Sequence, residues 1–160
     1  MKKQSAKKIN ISTILVPVDF SKHSIKALQY AKSFAQQFHA SIIMLHVVEP
    51  IIYPADFNLG QVNFPMIEKQ LQEKSKKDLE NLGKKYLGTV SYKTLVQVGA
   101  PFLEILACAK AKKTDIIIVA THGRTGMEHV LFGSTAEKVV RKANCPVLVV
   151  RANERDFLKK

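Results

Sequence analysis

Apolar residues fall along this chain in two alternating rhythms. Short runs, Thr13-Ile14-Leu15-Val16-Pro17-Val18-Asp19, Ser41 to Val48, Ile116 to Val119 and Val147 to Val150, have the length and β-branched content of buried strands. Val90, Tyr92, Thr94, Val96 and Val98 alternate with mostly wetter residues, which predicts a strand near a sheet edge. Between these runs the spacing becomes helical, through Ile25, Leu28, Ala31, Ala35 and Phe38, then Leu71, Leu79, Leu82 and Tyr86. Two further faces follow, Phe102, Ile105, Leu106 and Ala109, then Ala136, Val139, Val140 and Ala143. The order β-α-β-α-β-α-β-α-β predicts an α/β fold, a parallel sheet between two helix layers.

Punctuation residues sharpen the boundaries. Pro17 has no N–H for a ladder and marks the end of the first strand. Ser21 is placed to cap the first helix. From Pro50 to Pro65 the pattern lapses, and Ile51, Ile52, Tyr53 and Phe57 read as a loop lying over a partner or a ligand site. Gly83 or Gly88 ends the second helix, Pro101 fits the first position of the third, and Pro146 opens the last strand. Asn144 is expected to stop the fourth helix in a left-handed conformation.

Length and charge add bounds. The chain has 160 residues, of which 46% are hydrophobic, enough for one domain with a sizeable core. The formal net charge of +12 gathers in Met1 to Lys8, Lys69 to Lys85 and Lys159-Lys160. Such runs form solvated tails and helix faces, or attract nucleic acid, anionic membrane or nucleotide phosphate. No nucleic-acid-binding motif accompanies them. The two cysteines, Cys108 and Cys145, lack CxxC or zinc spacing and read as buried or idle thiols in a reducing compartment. The basic start leads into Ile9-Asn10-Ile11-Ser12 rather than a long apolar core, and no run reaches transmembrane length. A cytoplasmic protein with no membrane association is expected.

The chemistry concentrates between Ile116 and Val150. A buried strand empties into Ala120-Thr121-His122-Gly123-Arg124-Thr125-Gly126, and a helix opens at Gly133-Ser134-Thr135-Ala136-Glu137. Backbone N–H groups and a helix N-terminus directed at one spot favour an anion, typically a phosphate. Ser134 to Glu137 also fits a capping box, S-x-x-E, with Ser134 as the cap.

With Ile14-Leu15-Val16-Pro17-Val18-Asp19, Leu45-His46-Val47, Val98-Gly99-Ala100-Pro101 and Asn144-Cys145-Pro146-Val147-Leu148-Val149-Val150, this segment resembles the universal stress protein family over nearly the whole chain. ATP-binding members carry Gly, two residues, Gly, nine residues, then Gly-Ser or Gly-Thr. Here Gly123 is the second glycine, Arg124 to Phe132 are the nine, and Gly133-Ser134 closes the motif. Ala120 replaces the first glycine, a change tolerated if that position is extended and harmful if its φ must be positive.

The resemblance implies a three-layer α/β/α sandwich, adenine nucleotide alpha hydrolase-like, with a five-stranded parallel sheet in the order 3-2-1-4-5. Ligands of open α/β sheets bind where strand order reverses, here between strands one and four. By the same resemblance Pro17, Val18 and Val47 form an adenine slot with Val119 nearby, and Asp19 meets ribose or a metal. Gly123, Arg124, Gly133, Ser134 and Thr135 take the phosphates, Ala120 lines the strand end, and His122 holds the loop. The implied cofactor is ATP or AMP with magnesium, and the implied partner is a second copy paired along Val147 to Val150.

The expected domains are a disordered basic tail over residues 1–10, a universal stress protein domain over 11–152 and a C-terminal tail over 153–160. No catalytic set is visible, and His46 and His129 read as strand and loop residues. Without G-x-x-x-x-G-K-[ST] or S-G-G-x-D-[ST], at most slow ATP hydrolysis is expected. The leading reading is a nucleotide-binding stress sensor or regulator. The alternatives are a dimeric interaction module without nucleotide, an enzyme on the same architecture, and a nucleic-acid binder supported by charge alone.

Overall fold

The computed structural model describes residues 8–50, 64–121 and 133–151. The strands are β1 (Thr13–Pro17), β2 (Ser41–Val48), β3 (Tyr92–Val98), β4 (Ile116–Ala120) and β5 (Val147–Val150). The helices between them are α1 (Lys22–Phe38), α2 (Phe64–Tyr86), α3 (Pro101–Ala111) and α4 (Ser134–Lys142). One parallel five-stranded sheet runs β3-β2-β1-β4-β5, as expected.

Alternation along the strands sends successive side chains to opposite faces, and each face holds its own core. Ile14, Val16, Ile42, Met44 and Ile118 pack with Leu28, Ala31, Leu79 and Leu87 on the α1–α2 side. Leu15, Ile43, Leu45, Ile117 and Val119 pack with Ile105, Cys108, Ala136 and Val139 on the α3–α4 side. The free thiols of Cys108 and Cys145 both belong to this second core, and burial pushes each pKa up. β3 lies at an edge, as expected, and is only partly buried along its length.

Several boundaries differ from expectation for local reasons. α2 begins at Phe64, so Pro65 sits in its first turn, where a missing N–H costs nothing. It continues through Gly83 and stops before Gly88, whose φ of +63° suits glycine. Leu71 is 38% exposed and Val140 is 43% exposed, so neither joins the core. α4 ends at Ala143 in an extended conformation, without a left-handed Asn144. His39 after α1 and Lys113 after α3 adopt the left-handed geometry instead. The expected loop residues Ile51, Ile52, Tyr53 and Phe57 and most of the two tails lie outside the described residues.

Two contacts hold the fold together away from the carboxyl ends of the strands. The Asp115 carboxylate, just before β4, accepts bonds from Ser12 N–H (2.8 Å), Ser12 Oγ (2.7 Å) and Thr13 N–H (2.8 Å). It joins the amino ends of β1 and β4 although 103 positions separate Ser12 from Asp115. The Ser12 hydroxyl, opposed by desolvation and aided by the two amides, holds its pKa below the usual carboxylate value. At the β3 edge, the Tyr92 ring lies on Gly83, where a Cβ would collide with it. This explains a glycine inside a helix.

Asp115→Ala should lower stability by about 1–3 kcal/mol. Because the folded pKa is depressed, this stabilisation is complete above the unfolded value of about 4 and is lost as pH falls through the folded value. Urea midpoints measured from neutral to acid pH should show Asp115→Ala losing its deficit at low pH; a deficit that persists there contradicts the assignment. Gly83→Ala should destabilise the native chain, since overpacking costs about 1–3 kcal/mol against about 1 kcal/mol of helix propensity gained. In a Tyr92→Ala background the same change should stabilise, and thermal melts of the four proteins in the cycle read the reversal of sign.

Candidate functional site at the carboxyl ends of β1 and β4

The sheet reverses its winding between β1 and β4, and here the backbone pairing is shortest. β1 pairs with β2 along its whole length, from Thr13↔Ser41 to Pro17↔Leu45. Its ladder with β4 holds only Ile14↔Ile116 and Leu15↔Ile117. Proline accounts for the difference. Val18 N–H donates to Leu45 O on β2 at 2.8 Å, whereas Thr13 O accepts from Asp115 N–H on the β4 side at 3.0 Å. By alternation the nitrogen of Pro17 faces β4, and it has no hydrogen to donate. The strands continue to Pro17 and Ala120 without further register pairs, so the ladder ends two residues short of the end of β1.

Beyond β1 the chain turns sharply. Asp19 Oδ1 accepts from Ser21 N–H (3.0 Å) and Ser21 Oγ (2.6 Å). Ser21 Oγ in turn accepts from Ser24 N–H at 3.2 Å, capping α1 as its sequence position predicts. Phe20 between them takes a φ of +65°, an uncommon conformation for a side chain of that size. His46 on β2 supports the turn. Its Nδ1 lies 2.7 Å from Val18 O, and since a carbonyl only accepts, Nδ1 carries the hydrogen. The imidazole also packs on the Phe20 ring, with centroids 4.6 Å apart.

The other wall is β4 and the start of α4. Thr121 is buried, donates its N–H to Val150 O (3.0 Å) and accepts from Gly133 N–H (2.7 Å). The chain therefore leaves β4 at Thr121 and returns to the same point at Gly133. Gly133, not Ser134, is the N-cap of α4, with φ −69° and ψ 151°, and no side chain bonds into the cap. Ser134 is the first helical residue and is exposed, so the expected capping box does not form. Glu137 pairs with Arg141 at 3.3 Å instead. Among the described residues the first-turn amides of α4 have no intrahelical acceptors and no capping side chain, which leaves them to an anion.

The expected site residues divide between the two faces of the sheet. Pro17 and Val47 are half-buried and, with buried Val119, fall on the α3–α4 face by alternation. Val18 and Ala120 are buried in the α1–α2 core, so Val18 can offer a ligand its backbone only. Ala120 lies within β4, without positive φ, so the methyl replacing glycine needs no strained backbone. Asp19, Gly133, Ser134 and Thr135 sit at the same carboxyl end, while His122, Gly123 and Arg124 lie outside the described residues. Among the described residues no group of three His, Cys, Asp or Glu forms a metal cluster. His46 and Thr121 were not singled out by sequence. A histidine in an otherwise apolar strand does signal a buried polar group with a dedicated partner.

Known proteins place this architecture. The chain is 34% identical over 152 residues to Universal stress protein MJ0577 of Methanocaldococcus jannaschii, covering 86% of this chain and 93% of that protein. The solved structure of MJ0577 superposes with a TM-score of 0.77 at 32% identity, covering 92% of this chain and all of that one. Universal stress protein UspA from Lactobacillus plantarum gives the same TM-score at 28% identity, covering 90% of this chain and 100% of that one. A universal stress protein solved in complex with cAMP shares the fold at 21% identity and a TM-score of 0.65, covering 89% and 98%. The model of the universal stress protein family matches residues 10–151. With its strand order, its switch point between β1 and β4 and these likenesses, the chain belongs to the universal stress protein family.

Proposed function

We propose that this protein binds an adenine nucleotide, ATP or AMP, and acts as a dimeric cytoplasmic stress-response sensor. The observation that carries the reading is the N-terminus of α4, without a side-chain cap and fixed to the end of β4 by the Gly133–Thr121 bond, at the switch point where the β1–β4 ladder stops short. The fold relative solved with cAMP shows that this architecture accepts an adenine nucleotide in at least one family member.

In this reading Pro17, Val47 and Val119 flank the adenine from the α3–α4 face, while the Val18 carbonyl, already bonded by His46, has a second lone pair for the adenine amino group. Asp19 meets the ribose, with Oδ1 already fixed by Ser21. The amides of Ser134 and Thr135, the Ser134 hydroxyl, Gly133 and the loop residues His122, Gly123 and Arg124 take the phosphates. The described residues supply no carboxylate cluster for magnesium, so the ion enters with the phosphates as its main ligands. Hydrolysis is slow at most, because no P-loop lysine is present to stabilise the transferring phosphoryl group. Phosphate contact with the Thr121 to Phe132 loop couples binding to the surface that partners meet.

The dimer reading rests on β5, an apolar strand at the sheet edge. Exposed apolar edges need covering, and an isologous partner strand does this. Pro146 O and Val150 O accept from Ile117 N–H and Thr121 N–H on β4, both at 3.0 Å. By alternation the amides of Val147 and Val149 face outward, toward a second copy.

Calorimetric titration with ATP and magnesium tests the central reading. Saturable binding is expected, and its absence leaves the interaction module without nucleotide. Ser134→Ala should weaken ATP roughly ten- to hundredfold, the loss of about 1.5–3 kcal/mol from a charged hydrogen bond. Its melting temperature should hardly change, because Gly133 supplies the cap position; unchanged affinity with lost stability contradicts the assignment. Val149→Pro should convert the dimer to a folded monomer, since it removes an outward amide and no β4 bond. Light scattering with circular dichroism reads this, and a folded dimeric variant excludes β5 pairing.

A further inference from the structure

The edge of the sheet opposite the candidate nucleotide site carries a separate feature. Parallel strands place all their amino ends there, and every helix ends there. Exposed lysines gather at that edge: Lys8 before β1, Lys84 in the last turn of α2, Lys93 in β3, and Lys110, Lys112 and Lys113 where α3 ends. Asp115 is the one acid in the described turns at this edge, and its carboxylate is engaged by Ser12 and Thr13. The carboxyl edge is mixed, with Asp19, Glu49, Glu104 and Glu137 offset by Lys22, Lys138 and Arg151. Among the described residues the cationic excess therefore lies at the amino edge.

Helix dipoles explain part of this pattern. Lysines in the last turns of α2 and α3 complement the partial negative charge of a helix C-terminus. Lys8 and Lys93 belong to no helix, so helix dipoles do not account for them. Ile9, 69% exposed, stands beside Lys8 within this basic edge.

We propose that this pole adsorbs to an anionic lipid surface and holds the carboxyl edge away from it. The chemistry favours a membrane over nucleic acid. Apart from Arg141, which pairs with Glu137 at 3.3 Å, the described cations of this edge are lysines, Lys142 among them, strongly hydrated point charges suited to a diffuse negative surface rather than the bidentate arginines that read bases. Every helix presents its C-terminus at this edge, whereas phosphate backbones are gripped by helix N-termini. No helix or ribbon projects there to enter a groove, among the described residues. No described helix is long and apolar enough to cross a membrane, and adsorption through basic charge and one shallow apolar residue requires none.

Sedimentation of the full chain with vesicles tests this. Vesicles of about 30% phosphatidylserine in phosphatidylcholine should pellet the protein at low salt, and pure phosphatidylcholine should not. Raising the salt should release it. Replacing Lys93, Lys112 and Lys113 with Gln should lower the partition coefficient roughly hundredfold, at about fivefold per charge. A control with Lys69, Lys74 and Lys77 on α2 replaced by Gln has the same net charge and should retain most of the binding. Thermal melts establish that both variants fold. Equal loss in the two variants, no binding to anionic vesicles, or tighter binding to duplex RNA at the same salt overturns the proposal.

Discussion

Pro17 sits on a central strand, with its nitrogen facing β4 and nothing to donate. A proline in the middle of a sheet normally loses a ladder bond at a cost. Here the loss falls at the carboxyl end of β1, where the strand order reverses and the ladder to β4 has already ended. The end of β4 then meets the start of α4 through the bond between Thr121 and Gly133. The rest of the described structure keeps these pieces in register. Two apolar cores clamp the sheet from both faces, and Asp115 joins β1 to β4 at the opposite end.

The architecture was legible in the sequence because strand runs and helical spacings alternate without ambiguity. Ser21, Pro101 and Pro146 marked their boundaries correctly, each through a local backbone property. Tertiary packing decided the rest. Gly83 resembles a helix stop, yet it stays helical because the Tyr92 ring needs its missing Cβ. Leu71 and Val140 have the spacing of a core face, but no neighbouring element covers them fully. Asn144 is a good left-handed residue in a place where the chain remains extended.

The site was legible at the level of which segments meet, and less so in how they meet. Sequence placed Pro17, Asp19, Ala120 and Gly133 near one switch point. It did not separate the two faces of the sheet, which turn Val18 and Ala120 inward to the α1–α2 core and leave Pro17, Val47 and Val119 on the other side. It also made Ser134 the cap of α4. The structure moves that role to Gly133 and leaves the serine exposed, and this strengthens its candidacy as a ligand group. His46 shows the limit of reading residue types singly. Its importance comes from Val18 O and the Phe20 ring, neither of which its own position in the sequence reveals.

The central claim is that the ends of β1 and β4 and the start of α4 receive one nucleotide together. Amide spectra of the isotopically labelled protein during ATP titration address this directly. The account predicts coupled, saturable shifts at Val18, Asp19, Thr121, Gly133 and Ser134, with Thr13 and Ile116 at the far end unmoved. Shifts confined to one of these segments, scattered over the lysine-rich edge, or absent at saturation would contradict it.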